Sequence, residues 1–309
     1  MPHPENGTRS LHGPTIYLIM SGMESHAEVI DPPPEPVSRA TGEAAEPPRR
    51  ILQARSHVFG DLLLVLTWRD IQIKYKQSIM GLLWAVLMPM IIVGAGMVVR
   101  IGMAKLSGTE LPSDNLASLS VKAVPWAFFV GGIRFATASL TTNINLVTKI
   151  NCPRIAFPVS AVLSSAFDMI VASVPLVAIL AYLRVSPSWT LLWVPVLIAL
   201  LVLFVMGLGV ALAAANLFYR DVKYLVEVVL TFAIFFTPVI YDVEMFGDWG
   251  TWLLINPIAP ILEGLRSAIV LHTMPDPQWL AYSAVVSILV FVGGWWLFRR
   301  TEPIFADRI

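Results

Sequence analysis

The longest uninterrupted apolar run in this chain, Trp189–Leu217, contains no Asp, Glu, Lys or Arg at all. A bilayer core is about 30 Å thick, and a helix rising about 1.5 Å per residue needs about 20 apolar residues to cross it. Ile79–Val99 and Trp279–Phe298 meet that requirement without a charge, and Val124–Val147 meets it with one, Arg134. Ile155–Leu183 is long enough, carries Asp168, and is kinked by Pro158 and Pro175. Leu225–Tyr241 is shorter, contains Glu227 near its start and is interrupted by Pro238. These runs predict an all-α polytopic membrane protein with six transmembrane helices, at 79–99, 124–147, 155–183, 189–217, 225–241 and 279–298.

Composition agrees. Of 309 residues 56% are hydrophobic and 14% charged, where an average soluble domain is about a quarter charged. The apolar residues come in blocks, without the 3.6- or 2-residue periods of a soluble core. Formal net charge is zero, so no overall field argues for nucleic acid. The single cysteine, Cys152, forbids an internal disulfide. Residues 1–50 differ in kind: nine prolines and seven acidic residues cannot bury enough apolar surface to offset ordering entropy. They read as a disordered leader before a membrane domain over 51–309, with no cleavable signal ahead of the first span.

Two apolar segments are not expected to cross. Thr251–Val270 includes Asn256, Pro257, Pro260, Glu263 and Arg266, too polar and too broken for lipid-exposed backbone. It predicts short re-entrant helices on one membrane face before the last span, with Glu263 and Arg266 spaced i,i+3 for a salt bridge. His57–Lys76 places Leu64, Trp68, Ile71 and Tyr75 on one helical face, with Arg69, Asp70, Lys74 and Lys76 elsewhere. That pattern predicts an interfacial amphipathic helix resting on membrane lipids, with an i,i+4 pair between Asp70 and Lys74. Alternation in its last residues leaves a strand open there.

With the N-terminus inside, fifteen cations fall on the cytoplasmic side and four outside: Lys105, Lys122, Arg184 and Arg266. The asymmetry predicts that both termini are cytoplasmic. Trp126, Trp189, Trp193, Trp279, Trp295 and Trp296 fall near span ends, as an aromatic belt does.

Catalytic chemistry finds little support. No histidine lies within a span, no metal-ligand spacing occurs, and no phosphate loop of the form G-x-x-x-x-G-K-[ST] is present. The ionisable residues at membrane depth are Arg134, Asp168 and Glu227. Such residues are costly in lipid and either pair with one another or serve transport. Phe232, Phe235 and Phe236 share a helical face, and with Tyr241 and Trp84 they suit either packing or a pore wall along which sugar rings slide. Three charged elements read as handles for a soluble partner: the loop Lys149, Ile150, Asn151, Cys152, Pro153, Arg154 up to Pro158; the turn around Arg220 and Asp221; and the segment Trp68–Gly81.

Thr67-Trp68-Arg69-Asp70-Ile71-Gln72-Ile73-Lys74-Tyr75-Lys76-Gln77-Ser78, then Gly81-Leu82-Leu83-Trp84-Ala85 and Pro89, resembles the amino-terminal signature of ABC type-2 exporter permeases. The resemblance is to the branch that exports O-antigen, capsule and teichoic-acid polymers. Lys149-Ile150 with Pro153-Arg154 and Pro158, Tyr219-Arg220-Asp221-Val222, Thr237-Pro238-Val239-Ile240-Tyr241, and Asn256-Pro257 with Arg266 follow in family order across residues 55–300. The proline-rich leader departs from the family's short N-terminus. The resemblance implies a homodimer in the inner membrane with two separate ABC ATPase subunits, which bind the ATP and Mg while this chain holds no cofactor. It implies that the loop at Lys149–Arg154 couples to the ATPase, and that a polysaccharide on a lipid carrier passes between protomers. Trp84, the phenylalanines, Tyr241, Glu263 and Arg266 would then belong to pore and gate. An exporter of a small molecule or lipid, a membrane transferase acting on lipid-linked sugars, and a passive channel are the competing readings.

Overall fold

The computed structural model describes residues 48–76, 79–108, 114–149 and 152–307; the leader as far as residue 47, with Ile150 and Asn151, lies outside them. Among the described residues every regular element is helical. In chain order these are α1 (Pro48–Lys76), α2 (Ile79–Ser107), α3 (Asn115–Thr142), α4 (Ile144–Lys149), α5 (Ala156–Tyr182) and α6 (Trp193–Phe218). Then come α7 (Val222–Ala233), α8 (Gly250–Leu253), α9 (Ile258–Arg266) and α10 (Pro277–Thr301). Single-turn helices lead into α6 (Trp189–Leu192) and α8 (Val243–Trp249) and follow α9 (Ser267–Leu271) and α10 (Glu302–Asp307).

Among the described residues five helical stretches are long and apolar enough to cross a membrane: Leu83–Leu106, Asn115–Thr142, Ala156–Tyr182, Trp189–Phe218 and Pro277–Phe305. The segment 225–241 behaves differently from a continuous span. Its helix stops at Ala233 after twelve residues, about 18 Å of rise. Pro238 lacks the N–H that would reach the Ile234 carbonyl, and its ring would clash there, so the chain turns a full turn earlier. Tight turns follow, with Phe235 N–H donating to the Phe232 carbonyl at 3.0 Å and Phe236 N–H to the Ala233 carbonyl at 3.1 Å. Phe232 lies at the end of the regular helix, and Phe235 and Phe236 lie in the turns after it, all three exposed.

The second apolar helix also moves. It begins at Asn115 rather than Val124 and ends at Thr142 rather than Val147, so Lys122 lies within a helix and is buried instead of marking an outer loop. Trp126, expected at an interface, is 2% exposed in the core. The displacement has one cause: α3 is the central helix, packed by α2, α5, α6, α7 and α9, so protein rather than lipid solvates its polar residues. Its neighbour α6 meets α10 at Gly207 and Gly294, where a Cβ on either would overlap the other helix's backbone. Small residues permit that approach.

The first helix turns several of its polar residues toward the protein. Leu64, Val65, Trp68 and Ile73 are exposed on it, as are Asp61, Gln72 and Lys76, whereas Leu66 is buried and Arg69, Asp70 and Lys74 turn inward. Asp70 pairs with Arg69 at 2.7 Å and accepts from Ser160 Oγ at 3.2 Å, while Lys74 reaches Asp168; the expected Asp70–Lys74 pair gives way to these tertiary ones. The helix runs through Lys76, which settles its last residues against a strand.

Thr251–Val270 forms short helices, as its prolines require, but α9 is buried on nearly every side between α3, α6 and α10 rather than lying on a surface. The irregular backbone around it is satisfied by side chains. Tyr282 OH donates to the Ile255 carbonyl at 2.6 Å, Ser283 Oγ to the Pro257 carbonyl at 2.9 Å and Thr190 Oγ1 to the Ala268 carbonyl at 2.6 Å. Non-helical backbone at membrane depth is tolerated only under such cover.

Candidate functional site: a charged cleft, a buried ionic knot and two end loops

A cleft of about 560 Å³ opens between the end of α1 and helices α2, α3, α5 and α7. Its walls are largely apolar and aromatic, including Trp84, Trp126, Phe128 and Phe135, and its polar groups include Lys74, Tyr75, Arg134 and Asp168. These four are paired. Lys74 Nζ lies 2.9 Å from Asp168 Oδ2 and Tyr75 OH donates to Oδ1 at 2.6 Å. The same ammonium stands 4.2 Å from the centre of the Phe135 ring, a cation–π contact. Burial, and then the hydrogen bond and charge of Asp168, push the Tyr75 phenol well above its ordinary pKa, so it remains a donor.

Arg134 and Glu227 join α3 to α7. Nη2 donates to Oε2 at 2.6 Å and Nε lies 2.6 Å from Oε1. Their side chains are 41% and 44% exposed, which leaves an open charge pair on an apolar surface.

At the N-terminal end of α3 lies a second group of charges, and this one is closed. Asp242 is its centre. Lys122 Nζ donates to Asp242 Oδ1 at 2.6 Å, to the Tyr241 carbonyl at 2.8 Å and to Glu263 Oε1 at 3.1 Å. Arg100 donates to Asp242 Oδ1 at 3.0 Å, to the Ile240 carbonyl at 2.7 Å and to Asn115 Oδ1. Arg266 reaches Glu244 Oε2 at 3.0 Å and Glu263 Oε2 at 3.4 Å. Burial alone would raise the Asp242 carboxyl, but Lys122, Arg100 and Arg266 outweigh it and hold the pKa well below the usual carboxylate range. Burial likewise opposes the Arg266 charge, and Asp242, Glu263 and Glu244 more than restore it. The knot ties α2, α3 and α9 to the turn after α7.

The opposite end of α3 carries the loops. α4 ends at Lys149, and Cys152 follows half-buried, its thiol pushed up by burial against the pull of Arg154. Arg154 Nη1 donates to the Glu302 carbonyl at 3.2 Å. In the second loop Tyr219, Arg220 and Asp221 are exposed, and Asn216 is buried beneath them. The Asn216 amide donates to the Thr137 carbonyl at 3.0 Å and its Oδ1 accepts from Lys223 N–H at 3.1 Å, pinning the turn to α3.

The expected site residues therefore do not gather in one place. Lys74, Tyr75 and Trp84 meet Arg134 and Asp168 at the cleft, while Trp68 sits 59% exposed on the outer face of α1 and Arg69 and Asp70 on its inner one. Glu263 and Arg266 make their i,i+3 contact as one arm of the knot. Phe232, Phe235 and Phe236 are exposed and outside the cleft lining, and Tyr241 OH donates to the Phe235 carbonyl at 2.8 Å. Arg100, Lys122 and Asp242 escaped the sequence reading as site residues. Their only sequence signal is a charge at the edge of an apolar run, and the ion pairs of Arg100 and Lys122 with Asp242 span more than a hundred residues. No group of three or more His, Cys, Asp or Glu side chains placed to hold a metal occurs among the described residues.

The chain matches the ABC-2 type transporter family over residues 61–270, well over half its length. It is similar to the O-antigen export system permease protein RfbA of Klebsiella pneumoniae, 23% identical over 249 residues that cover 80% of this chain and 94% of the relative. The protein of the same name from Myxococcus xanthus is 26% identical over 256 residues, covering 80% and 95%.

Proposed function

The chain belongs to the ABC-2 type transporter family, and on that premise we propose that it is the transmembrane permease subunit of an ATP-driven exporter that carries a lipid-linked polysaccharide, of the O-antigen kind, across the inner membrane. The observation that carries the reading is the open Arg134–Glu227 pair beside an aromatic cleft. A half-exposed ion pair on apolar helices is unstable against lipid, so it faces water or another protein. A second copy of the chain seated over α7 and the cleft supplies both, enclosing a lumen with charged groups for hydration and aromatic faces for sugar rings. The names of the relatives point to the same cargo class.

In this reading both termini are cytoplasmic, and 225–241 makes the sixth crossing as a short helix with turns. The pair of short helices before α10 then lies toward the periplasm, with the ionic knot holding it. ATP and Mg bind to two separate ATPase subunits, whose closure presses on Lys149–Arg154 and on the turn at Arg220 and Asp221. Shifting a gate from 1% to 99% open takes about 5.5 kcal/mol of differential binding, within reach of a few packed and charged contacts.

Deletion of the gene tests the cargo. The expected outcome is loss of cell-surface polymer with accumulation of lipid-linked polymer inside, restored by the intact chain. Reversal of the exposed cation in Arg220→Glu should leave the chain in the membrane but fail to restore export. Unchanged surface polymer in the deletion strain, with lost efflux of a small amphiphile, would replace the polymer with a small-molecule cargo.

A further inference from the structure

The last helix does not end the fold. Thr301 closes α10, Pro303 cannot continue it, and the following turn folds back so that Phe305 is completely buried. The Phe305 ring lies 5.6 Å from Phe218 at the end of α6 and 5.4 Å from Phe298 in α10, the latter edge to face. On its other side the Arg154 guanidinium stands 5.9 Å from the ring centre while donating to the Glu302 carbonyl. Phe218 immediately precedes the Tyr219–Asp221 turn, and Arg154 lies two residues before α5 begins at Ala156. The tail thus touches both end loops at once.

We propose that the C-terminal segment 302–305 is a staple, with Phe305 as its positioning residue, that locks the loop 152–157 and the turn 216–223 into one lever. The inference rests on the reading of those segments as the ATPase-facing handles. A buried ring between two loops adds nothing to substrate or nucleotide binding. What it adds is that a push on one loop cannot be absorbed by slack in the other, because Phe157, Ala213, Ala214, Phe298 and Phe305 share one apolar cluster. Packed elements of this kind move together or not at all.

Two measurements test it. In lipid nanodiscs, without any partner, Phe305→Ala should speed amide exchange about tenfold in both 152–160 and 216–223 and leave the Gly207–Gly294 crossing unchanged. Faster exchange in one loop alone, or in neither, overturns the staple. Should Phe305→Ala fail to insert, Arg154→Gln serves the same test, since it removes the link without emptying the core; it should loosen 152–160 and 216–223 together, and loosening of the first alone overturns the proposal. In the complex with its ATPase, Phe305→Ala should lower export per ATP hydrolysed about tenfold while the co-purified ATPase stays constant, and Phe305→Leu should restore it. Loss of ATPase binding in proportion to export would make the tail a docking element and refute the lever. Failure of the polymer reading looks different: wild type would export no polymer, and the exchange result would stand regardless.

Discussion

Lys122 and Arg134 sit three turns apart on the same helix and meet opposite fates. Lys122 is completely buried, and its ammonium has three oxygen partners from α9 and the turn after α7. Arg134 has one carboxylate partner and 41% of its side chain exposed. Around Lys122 three cations meet Asp242 and Glu263, with the exposed Glu244 on Arg266 at the rim, so the desolvation of each buried charge is offset by neighbours already in place. Around Arg134 the pair is left open beside a cleft. A closed group of charges holds elements together; an open one on an apolar surface marks where water, cargo or a second copy is required.

The sharpest way to break this contrast is at Asp242. Asp242→Ala leaves Arg100, Lys122 and Arg266 facing one another, and removal of one partner from a buried ionic group costs about 3–5 kcal/mol. Thermal unfolding in detergent should show a large loss, with faster proteolysis around Val243–Trp249. A loss near that of a surface pair would mean that water reaches the knot and the contrast is false.

At the open pair the expectation reverses. Replacing both partners, Arg134→Gln with Glu227→Gln, should change stability by less than about 1 kcal/mol, as for exposed pairs, yet depress polymer export. A stability loss as large as that of Asp242→Ala would move this pair into the structural class. Retention of full export would remove it from the transport path.

The smallest effect is expected from pH. Asp242 has a folded pKa depressed below its ordinary value of 3.8. Its stabilisation is complete above that value and is lost only as pH falls through it toward the folded pKa. Unfolding temperature followed from pH 8 to pH 5 should therefore carry no contribution from the knot, and a decline should begin near pH 4. A titration of stability around neutrality, absent in Lys122→Met, would show that the knot is not closed.

Much of the fold was legible because lipid imposes one rule on every exposed helix: enough apolar residues to cross, and few charges. Trp189–Leu217 and Trp279–Phe298 obey it and lie within helices close to their expected limits, while the helix of Ile79–Val99 runs on through Arg100 to Ser107. The rule weakens where protein replaces lipid. Lys122 and Arg100 look like span boundaries to a hydropathy count, yet they are interior because Asp242 and Glu263 come to them. The short α7 misled for the opposite reason. Its sequence is apolar through Tyr241, but apolarity does not keep a helix going past the turn that Pro238 enforces.

Among the site residues, Arg134, Asp168 and Glu227 stood out because a charge in an apolar run is expensive anywhere in the membrane. That cost is a property of the residue and its immediate neighbours, so sequence alone determines it. Which charge answers which was decided by the tertiary structure. Lys74 found Asp168 across ninety-four residues, Arg134 found Glu227 across ninety-three, and the expected Asp70–Lys74 pair dissolved. The order of the helices, the burial of α9 and the return of Phe305 beneath the loops belong to the same class. Chain sequence sets the price of placing each group in apolar surroundings; only the packing of distant segments decides which partner offsets it.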